Sequence, residues 1–148
     1  MQALERIEIE RACEQLSVAY ARHVDFKEYD RFAELFTEDG HLNAGGPVDG
    51  RAAIRQRMAQ RSDRLRSRHV LTNIQVEVID ADHARGITYL SLYWHVGDES
   101  LGDKPIEFTG PAAVGHYEDE FVRTASGWRI ARRVLRLAFL RADAFSPA

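Results

Sequence analysis

The chain has 148 residues, of which 45% are hydrophobic and 29% charged, with one cysteine and a formal net charge of −3. A hydrophobic content this high argues against a disordered chain. A lone cysteine cannot close an intrachain disulfide, which excludes a disulfide scaffold. No apolar run approaches the roughly 20 residues of a membrane span, and we do not expect the charged N-terminal segment to act as a secretory signal. We therefore expect one soluble, cytoplasmic domain over residues 1–148, with no membrane partner.

The charge is unevenly distributed along the chain. Residues 51–68 carry seven basic and one acidic side chain, whereas residues 1–50 carry 5 basic and 11 acidic ones. A basic block can indicate nucleic-acid binding. Within this block, however, Ile54, Met58 and Leu65 recur near helical spacing. The pattern favours a solvated helix whose arginines pair with the acidic segments, and we expect no nucleic-acid partner.

Helical periodicity covers the first third of the chain. Apolar residues recur at intervals of three and four over residues 9–23, which predicts one long amphipathic helix. A second, shorter apolar stripe occupies residues 29–36. Between the two stripes, Asp25 and Glu28 have the spacing of a capping box, which predicts that the second helix starts at Asp25.

Strand signals follow the helices. Turn residues at 38–40 and 45–47 separate the second helix from the arginine-bearing one. The period then becomes two, which predicts four long strands at about residues 68–78, 86–96, 108–123 and 128–139. Glycines and a proline in the third strand indicate bulges or bends, at Gly110, Pro111 and Gly115.

Helices followed by a meander of long strands predict an α+β fold. A strongly bent antiparallel sheet with helices across its open side forms a cone, and a cone of this size encloses a pocket. Such a pocket is where a ligand is expected to bind.

The first long strand carries a candidate proton-transfer residue, His69. Alternation places it on one face with Leu71 and Asn73. The opposite face is β-branched and is expected to pack in the core; it comprises Val70, Thr72, Ile74 and Val76. The histidine face then looks at water or at a polar pocket. An imidazole in a pocket can exchange protons near neutral pH.

Other common site chemistries have no support in the sequence. There is no glycine-rich phosphate loop with its lysine and no Gly-x-Ser-x-Gly elbow. The six histidines lack the short spacings of metal ligands. Cys13 lies on the apolar stripe of the first helix, which predicts a small core residue. We expect neither a metal nor a cofactor.

The sequence resembles the SnoaL-like branch of the NTF2-like superfamily over nearly its whole length. The matching residues are Tyr20-x4-Asp25-x3-Tyr29-Asp30-x4-Leu35-Phe36-x2-Asp39-Gly40, Gly50-x3-Ile54, Arg68-His69-x3-Asn73 and Gly127-Trp128-Arg129-Ile130. The resemblance implies the cone-shaped fold described above, with N-terminal helices packed over the bent sheet.

Within that branch, Asp25 and His69 resemble the Asp–His dyad of scytalone dehydratase, hexachlorocyclohexane dehydrochlorinase and bile-acid 7α-dehydratase. Those families catalyse eliminations without a cofactor. The resemblance implies a cofactor-independent lyase in which His69 abstracts a proton and Asp25 orients the imidazole. Elimination of water from a largely apolar, cyclic small molecule is the expected reaction. The helix-capping role of Asp25 remains the alternative.

Five further residues are candidates for binding the substrate. Tyr20 is either a phenol that donates to the substrate or a core aromatic residue, and Asn73 either orients the substrate or bonds at a strand edge. Trp94 and His95 stand near the second pocket histidine of scytalone dehydratase, and a regular strand turns only one of them inward. Arg123 resembles a pocket arginine of the dehydrochlorinase, or is a solvated arginine before a hairpin turn.

Two other functions remain open at this point. One is a non-catalytic ligand-binding or assembly module, in which Asp25 caps its helix and His69 faces water. The other is an isomerase or cyclase that uses the same pocket; the aspartates of the ketosteroid isomerases would fall near Ala44 and Gly115, where no carboxylate is present. We also expect a homodimer or homotrimer, because the outer sheet face would otherwise expose many apolar side chains.

Overall fold

The computed structural model of the protein describes residues 1–107 and 109–145. Two helices, two strands and a third helix precede a strand-rich second half, and two short 3₁₀ helices lie at Asp98–Leu101 and Ala142–Phe145. The elements are α1 (Ala3–Asp25), α2 (Tyr29–Glu34), β1 (Phe36–Asn43), β2 (Pro47–Asp49), α3 (Arg51–Ala59), β3 (Leu65–Val78), β4 (His83–Val96), β5 (Ala113–Thr124) and β6 (Gly127–Leu140). The fold is α+β, as the order of helical and strand periodicity predicted.

The six strands form one mixed sheet in the order β2-β1-β6-β5-β4-β3. The four long strands that the sequence predicted pair antiparallel, but β1 pairs parallel with β6. The sequence missed β1 and β2, because their residues include the turn signals at 38–40 and 45–47. The register of β1 against β6 shifts between Phe36 and His41, so the polar turn residues occupy an irregular stretch of strand.

The predicted capping box does not form. Helix α1 continues through Asp25, and α2 begins at Tyr29 without a side-chain cap. The chain reverses at Lys27, whose φ is +60°. The Glu28 carboxylate accepts a hydrogen bond from His23 Nδ1 at 3.1 Å and makes no capping bond. The prediction that Asp25 starts the second helix is therefore wrong, and its carboxylate is available to bond elsewhere.

A bulge at Asn73 changes which residues of β3 face the core. Asn73 has φ +51°, and the register with β4 shifts between Thr72 and Gln75. Before the bulge the inward side chains include His69 and Leu71; after it they include Val76 and Val78. The predicted apolar face is therefore split: Val70 and Thr72 are exposed, whereas Ile74 and Val76 are partly buried. Strict alternation could not reveal the extra residue.

The core lies between the helices and the inner face of the sheet. Helix α1 packs along β3, and α2 packs against α3. Large side chains that are at most 1% exposed occupy this interior, namely Ile9, Phe32, Phe36, Ile54, Leu90, Tyr117, Phe121 and Ile130. This packing covers one face of the sheet and leaves space near the ends of α1 and α3.

Some arginines of the basic block pair with acidic residues, as expected, and others bond to backbone carbonyls. Arg55 of α3 bonds the Glu34 carboxylate at 2.6 Å, and Arg57 donates to the Gly46 carbonyl at 2.6 Å. Arg64 pairs with Asp98 at 2.8 Å.

Two surface properties bear on partners. Among the described residues, no helix combines the length and apolar character that crossing a membrane would require. Tyr89 and Phe139 are 51% and 72% exposed. The homodimer or homotrimer that exposed apolar strand residues suggested stays a prediction.

The register between β5 and β6 shifts at Gly115, where the sequence predicted a bulge or bend in β5, but the extra residue belongs to β6: Val114 pairs with Phe139 and Gly115 with Leu137. The strand starts at Ala113, and Phe108, where the sequence predicted its beginning, lies outside the described residues. A Cβ atom on Gly115 would lie 2.1 Å from the carbonyl oxygen of Arg136. Close approach of two strands therefore requires glycine here.

We expect Gly115→Ala to lower the free energy of unfolding by about 1–3 kcal/mol, since the backbone must shift to admit the methyl group. The matched control is Gly102→Ala, where the nearest atom would lie 3.8 Å from the new Cβ. Urea denaturation measures both. Equal stability of the two variants would contradict the assigned bulge geometry.

Candidate active site

A cavity of about 470 Å³ lies between the helices and the inner face of the sheet. Its wall is mostly aliphatic and aromatic, with contributions from Phe32, Leu90, Leu92, Tyr117 and Leu135. The polar side chains on the wall are few and include His69, Tyr20, Arg57, Gln60 and Arg61. An apolar enclosure with a few polar groups is typical of a small-molecule site.

Asp25 and His69 meet at this cavity. The Asp25 Oδ1 and His69 Nδ1 atoms are 2.6 Å apart, and the two side chains are only 7% and 9% exposed. The carboxylate also accepts a hydrogen bond from the Ser67 hydroxyl at 2.9 Å and from the backbone N–H of His69 at 2.7 Å. Three donors thus hold the Asp25 carboxylate in place. The sequence left two roles open for this carboxylate, orientation of His69 or capping of a helix.

The geometry assigns the proton on the neutral His69 ring. A carboxylate accepts hydrogen bonds, so Nδ1 of His69 carries the hydrogen that points at Asp25. The other ring nitrogen, Nε2, is then unprotonated. It has no hydrogen-bond partner within residues 1–107 and 109–145. This arrangement presents a basic nitrogen on a residue that lines the cavity.

Tyr20 lies beside the histidine on the cavity wall and is 3% exposed. Its ring centroid is 6.3 Å from that of His69 in an edge-on arrangement and 4.6 Å from that of Phe32. Burial raises the pKa of the Tyr20 phenol, although the nearby Arg133 guanidinium opposes this shift. The phenol therefore remains protonated at neutral pH and can donate a hydrogen bond.

The structure distinguishes Trp94 from His95. Trp94 lines the cavity and stacks against Phe145 with ring centroids 5.3 Å apart. His95 is absent from the described cavity wall, and its Nε2 lies 3.2 Å from the Glu99 carboxylate at an exposed position. Strand alternation explains this outcome, because neighbouring residues point to opposite faces.

Two other candidate residues lie away from the described cavity wall. Asn73 occupies the exposed bulge of β3. The Arg123 side chain is 46% exposed, lies 3.9 Å from Asp82 and stacks over the Trp128 ring. The structure therefore brings Tyr20 and Trp94 to the Asp25–His69 pair, but not Asn73 or Arg123.

The arginine that the structure does place beside the site is Arg133, which sequence reasoning missed. Its side chain is fully buried and donates to both oxygens of Asp119, at 2.7 and 2.8 Å, and to Ser17 Oγ at 2.7 Å. Its guanidinium carbon lies 4.4 Å from the ring centroids of both Tyr20 and Tyr117. Burial opposes the charge, but the Asp119 carboxylate outweighs it and raises the pKa of Arg133.

A sequence signal for this pair existed. Alternation of Tyr117, Asp119 and Phe121 places a carboxylate on the same strand face as two aromatic residues. A buried carboxylate requires a cation or several hydrogen bonds. The pattern therefore indicated that Asp119 needs either a buried cation or several hydrogen-bond donors nearby.

Cys13 is fully buried, as its helical position predicted. Burial raises the pKa of its thiol to about 12, with a further contribution from the Asp119 charge. The thiolate is thus scarce at neutral pH, which makes Cys13 a core residue and a poor nucleophile. Within the described residues, no cluster of three or more acidic, histidine or cysteine side chains has a metal-binding arrangement.

We expect Asp119→Asn to lower the free energy of unfolding by about 3–5 kcal/mol, because it leaves the buried Arg133 charge uncompensated. The matched control is Glu77→Gln, which breaks the exposed pair with Arg85. It should change stability little, since solvent screens that pair. Chemical denaturation of both variants measures the difference, and similar losses would contradict the proposed stabilising role of Asp119.

Comparison with known proteins identifies relatives of this architecture. An uncharacterized protein of Mycobacterium tuberculosis is 35% identical over 136 residues, which cover 88% of this chain and 83% of the relative. The structure of a candidate scytalone dehydratase from Novosphingobium aromaticivorans matches with a TM-score of 0.77 and 19% identity, over 99% of this chain and 94% of that one.

A second solved structure is hexachlorocyclohexane dehydrochlorinase LinA-type3 from Novosphingobium barchaimii. It matches with a TM-score of 0.76 and 18% identity, over 99% of this chain and all of that one. Likeness at these identities establishes the fold, which is NTF2-like. The model of the SnoaL-like domain matches residues 5–134. The chain belongs to the SnoaL-like domain family.

Proposed function

We propose that the protein is a cofactor-independent lyase that eliminates water from a largely apolar, cyclic small molecule by means of Asp25 and His69. One observation carries the proposal: a carboxylate 2.6 Å from Nδ1 of a histidine, on the wall of a cavity of about 470 Å³. If Asp25 served only as a helix cap, it would not need His69 as a partner. Asp25 makes no helix-capping bond.

The first step is proton abstraction from carbon. Nε2 of His69 takes the proton from a C–H bond next to an electron-withdrawing group, and the electron pair of that bond forms the new double bond. Asp25 stabilises the imidazolium that results and holds the ring in one orientation. The same division of labour between carboxylate and imidazole operates in serine hydrolases, here without a nucleophile.

The second step returns the proton. As the carbon–oxygen bond breaks, the imidazolium gives its proton to the departing hydroxyl group, which leaves as water. His69 is then neutral again, so the cycle needs no oxidant, reductant or metal for its balance. The small polar fraction of the cavity wall strengthens these charge interactions, because the effective dielectric constant is low.

Tyr20 supports the developing negative charge. Its buried phenol remains protonated and can donate to a carbonyl or hydroxyl group of the substrate. Its ring is fixed by Phe32, Tyr117 and the buried Arg133, so little reorganisation is needed during the reaction. The aliphatic and aromatic wall around it fits a mid-sized, largely apolar ring system.

The structural neighbours support an elimination. One is named as a dehydrochlorinase of hexachlorocyclohexane and another as a candidate scytalone dehydratase. Both names describe the loss of a small molecule from an organic compound. The identities of 18% and 19% carry no substrate to this chain, so the substrate class rests on the cavity itself.

We expect His69→Gln to lower kcat by about 10²–10⁴-fold, the usual contribution of a positioned general base. Asp25→Asn should also cause a large loss, because an amide can donate to Nδ1 and thereby favour the wrong tautomer. The assay is a screen of cyclic β-hydroxyketones, followed by the ultraviolet absorbance of the conjugated ketone that dehydration forms.

His95→Gln is the matched control, since it removes an exposed histidine outside the described cavity wall. It should retain wild-type turnover. Full turnover by His69→Gln or Asp25→Asn on an identified substrate would contradict the dyad mechanism. Specific ligand binding that survives in both variants without any turnover in the wild type would favour a non-catalytic binding module.

A further inference from the structure

Arg61 is a partly buried cation on the cavity wall whose charge has no counterion. In the part of the chain that the structure describes, its guanidinium makes no ion pair with a carboxylate and donates no hydrogen bond. Its contacts are aromatic: the guanidinium carbon lies 5.3 Å from the Trp94 ring centroid and 5.8 Å from that of Tyr29.

The other arginine on the cavity wall is occupied. Arg57 donates to the carbonyl oxygens of Gly46, Gly45 and Ala44 at 2.6, 2.8 and 3.2 Å, and so fixes the loop between β1 and β2. Nearby Arg55 and Arg64 form ion pairs with acidic residues. Arg61 therefore differs from these neighbours, because their guanidinium groups are bonded to carboxylates or carbonyl oxygens of the chain.

Cation–π contacts hold Arg61 without using its hydrogen-bond donors. A guanidinium that lies over an aromatic ring interacts through its face, whereas its N–H donors project from the edge of the plane. The contacts with Trp94 and Tyr29 thus hold the group in place and leave its donors for a ligand. A planar pair of donors matches the two oxygens of a carboxylate.

The charge balance of the cavity favours an anion. No Asp or Glu belongs to the cavity wall as far as the described residues go, and Asp25 lies behind His69 with its oxygens occupied. The Arg61 charge also acts on the buried Tyr20 phenol. It lowers the pKa of that phenol and so partly offsets the rise that burial causes. The wall is apolar elsewhere, and water screens this charge less there than at the surface.

We infer that the ligand of this cavity carries a carboxylate, and that Arg61 binds it while the apolar ring system packs against the wall. The inference deepens the proposed lyase function and rests on it for the statement that this ligand is the substrate. Binding of the carboxylate at Arg61 and proton abstraction at His69 then use two separate positions on the wall, so Arg61 determines specificity and His69 performs the chemistry.

The test compares two probes of equal shape, 2-naphthoate and 2-naphthamide, by isothermal titration calorimetry. We expect the wild type to bind the naphthoate about 10–100-fold more tightly, the range that a hydrogen bond to a charged group contributes. Arg61→Gln should abolish this preference and leave the affinity for the naphthamide unchanged. The matched control is Arg6→Gln, which removes an exposed arginine of α1 and should retain the preference.

Three results would overturn the inference: equal affinity of the wild type for the two probes, no binding of the naphthoate, or a preference that survives in Arg61→Gln. A third variant, His69→Gln, separates this outcome from the fate of the lyase proposal. It should keep the preference for the naphthoate, because binding at Arg61 needs no proton transfer. If dyad variants turn over substrate normally, the lyase proposal fails while the binding result stands.

Discussion

The hydrogen bond between Asp25 and His69 joins two parts of the chain that lie 44 residues apart. It connects the last residue of α1 to the first half of β3, and Ser67 and the backbone of His69 add two further bonds to the same carboxylate. Helix α1 packs against β3. The position of that helix therefore determines both the orientation of the imidazole and the shape of the cavity in front of it.

Burying this pair has a cost that the surrounding structure must offset. A carboxylate in an apolar interior loses its hydration, and three hydrogen bonds replace it here. A buried ion pair, Arg133 and Asp119, also lies beside Tyr20, with the guanidinium carbon 4.4 Å from the phenol ring centroid. The Tyr20 ring thus contacts both this guanidinium and the His69 imidazole. A site built in this way changes little when charge develops on a substrate, which is the condition for electrostatic catalysis.

The sequence predicted the α+β order, the long first helix and the four long strands, and the family resemblance predicted that Asp25 and His69 come together. It also predicted that Trp94 and His95 point to opposite faces. It failed where one residue departs from a regular period: the bulge at Asn73 moved Val70 and Thr72 to the surface. Tertiary contacts also overrode a local sequence pattern. The spacing of Asp25 and Glu28 predicted a capping box, but the Asp25 carboxylate bonds residues of β3 instead.

The partner of Asp119 could not be identified from the sequence. Arg123 and Arg133 lie on adjacent strands, and neither periodicity nor spacing shows which arginine pairs with a buried carboxylate. The alternation around Asp119 showed that a partner was required, but only the register of β5 against β6, which pairs Asp119 with Arg133, identifies it.

The central claim is that Asp25 holds His69 with Nδ1 protonated and Nε2 free to act as a base. Long-range ¹H–¹⁵N correlation spectra of the histidine-labelled protein, recorded where the ring is neutral, report the tautomer directly. The account predicts a protonated Nδ1 and an unprotonated Nε2 in the wild type, and loss of this single tautomer in Asp25→Asn. A wild-type ring that is protonated on Nε2 would contradict it.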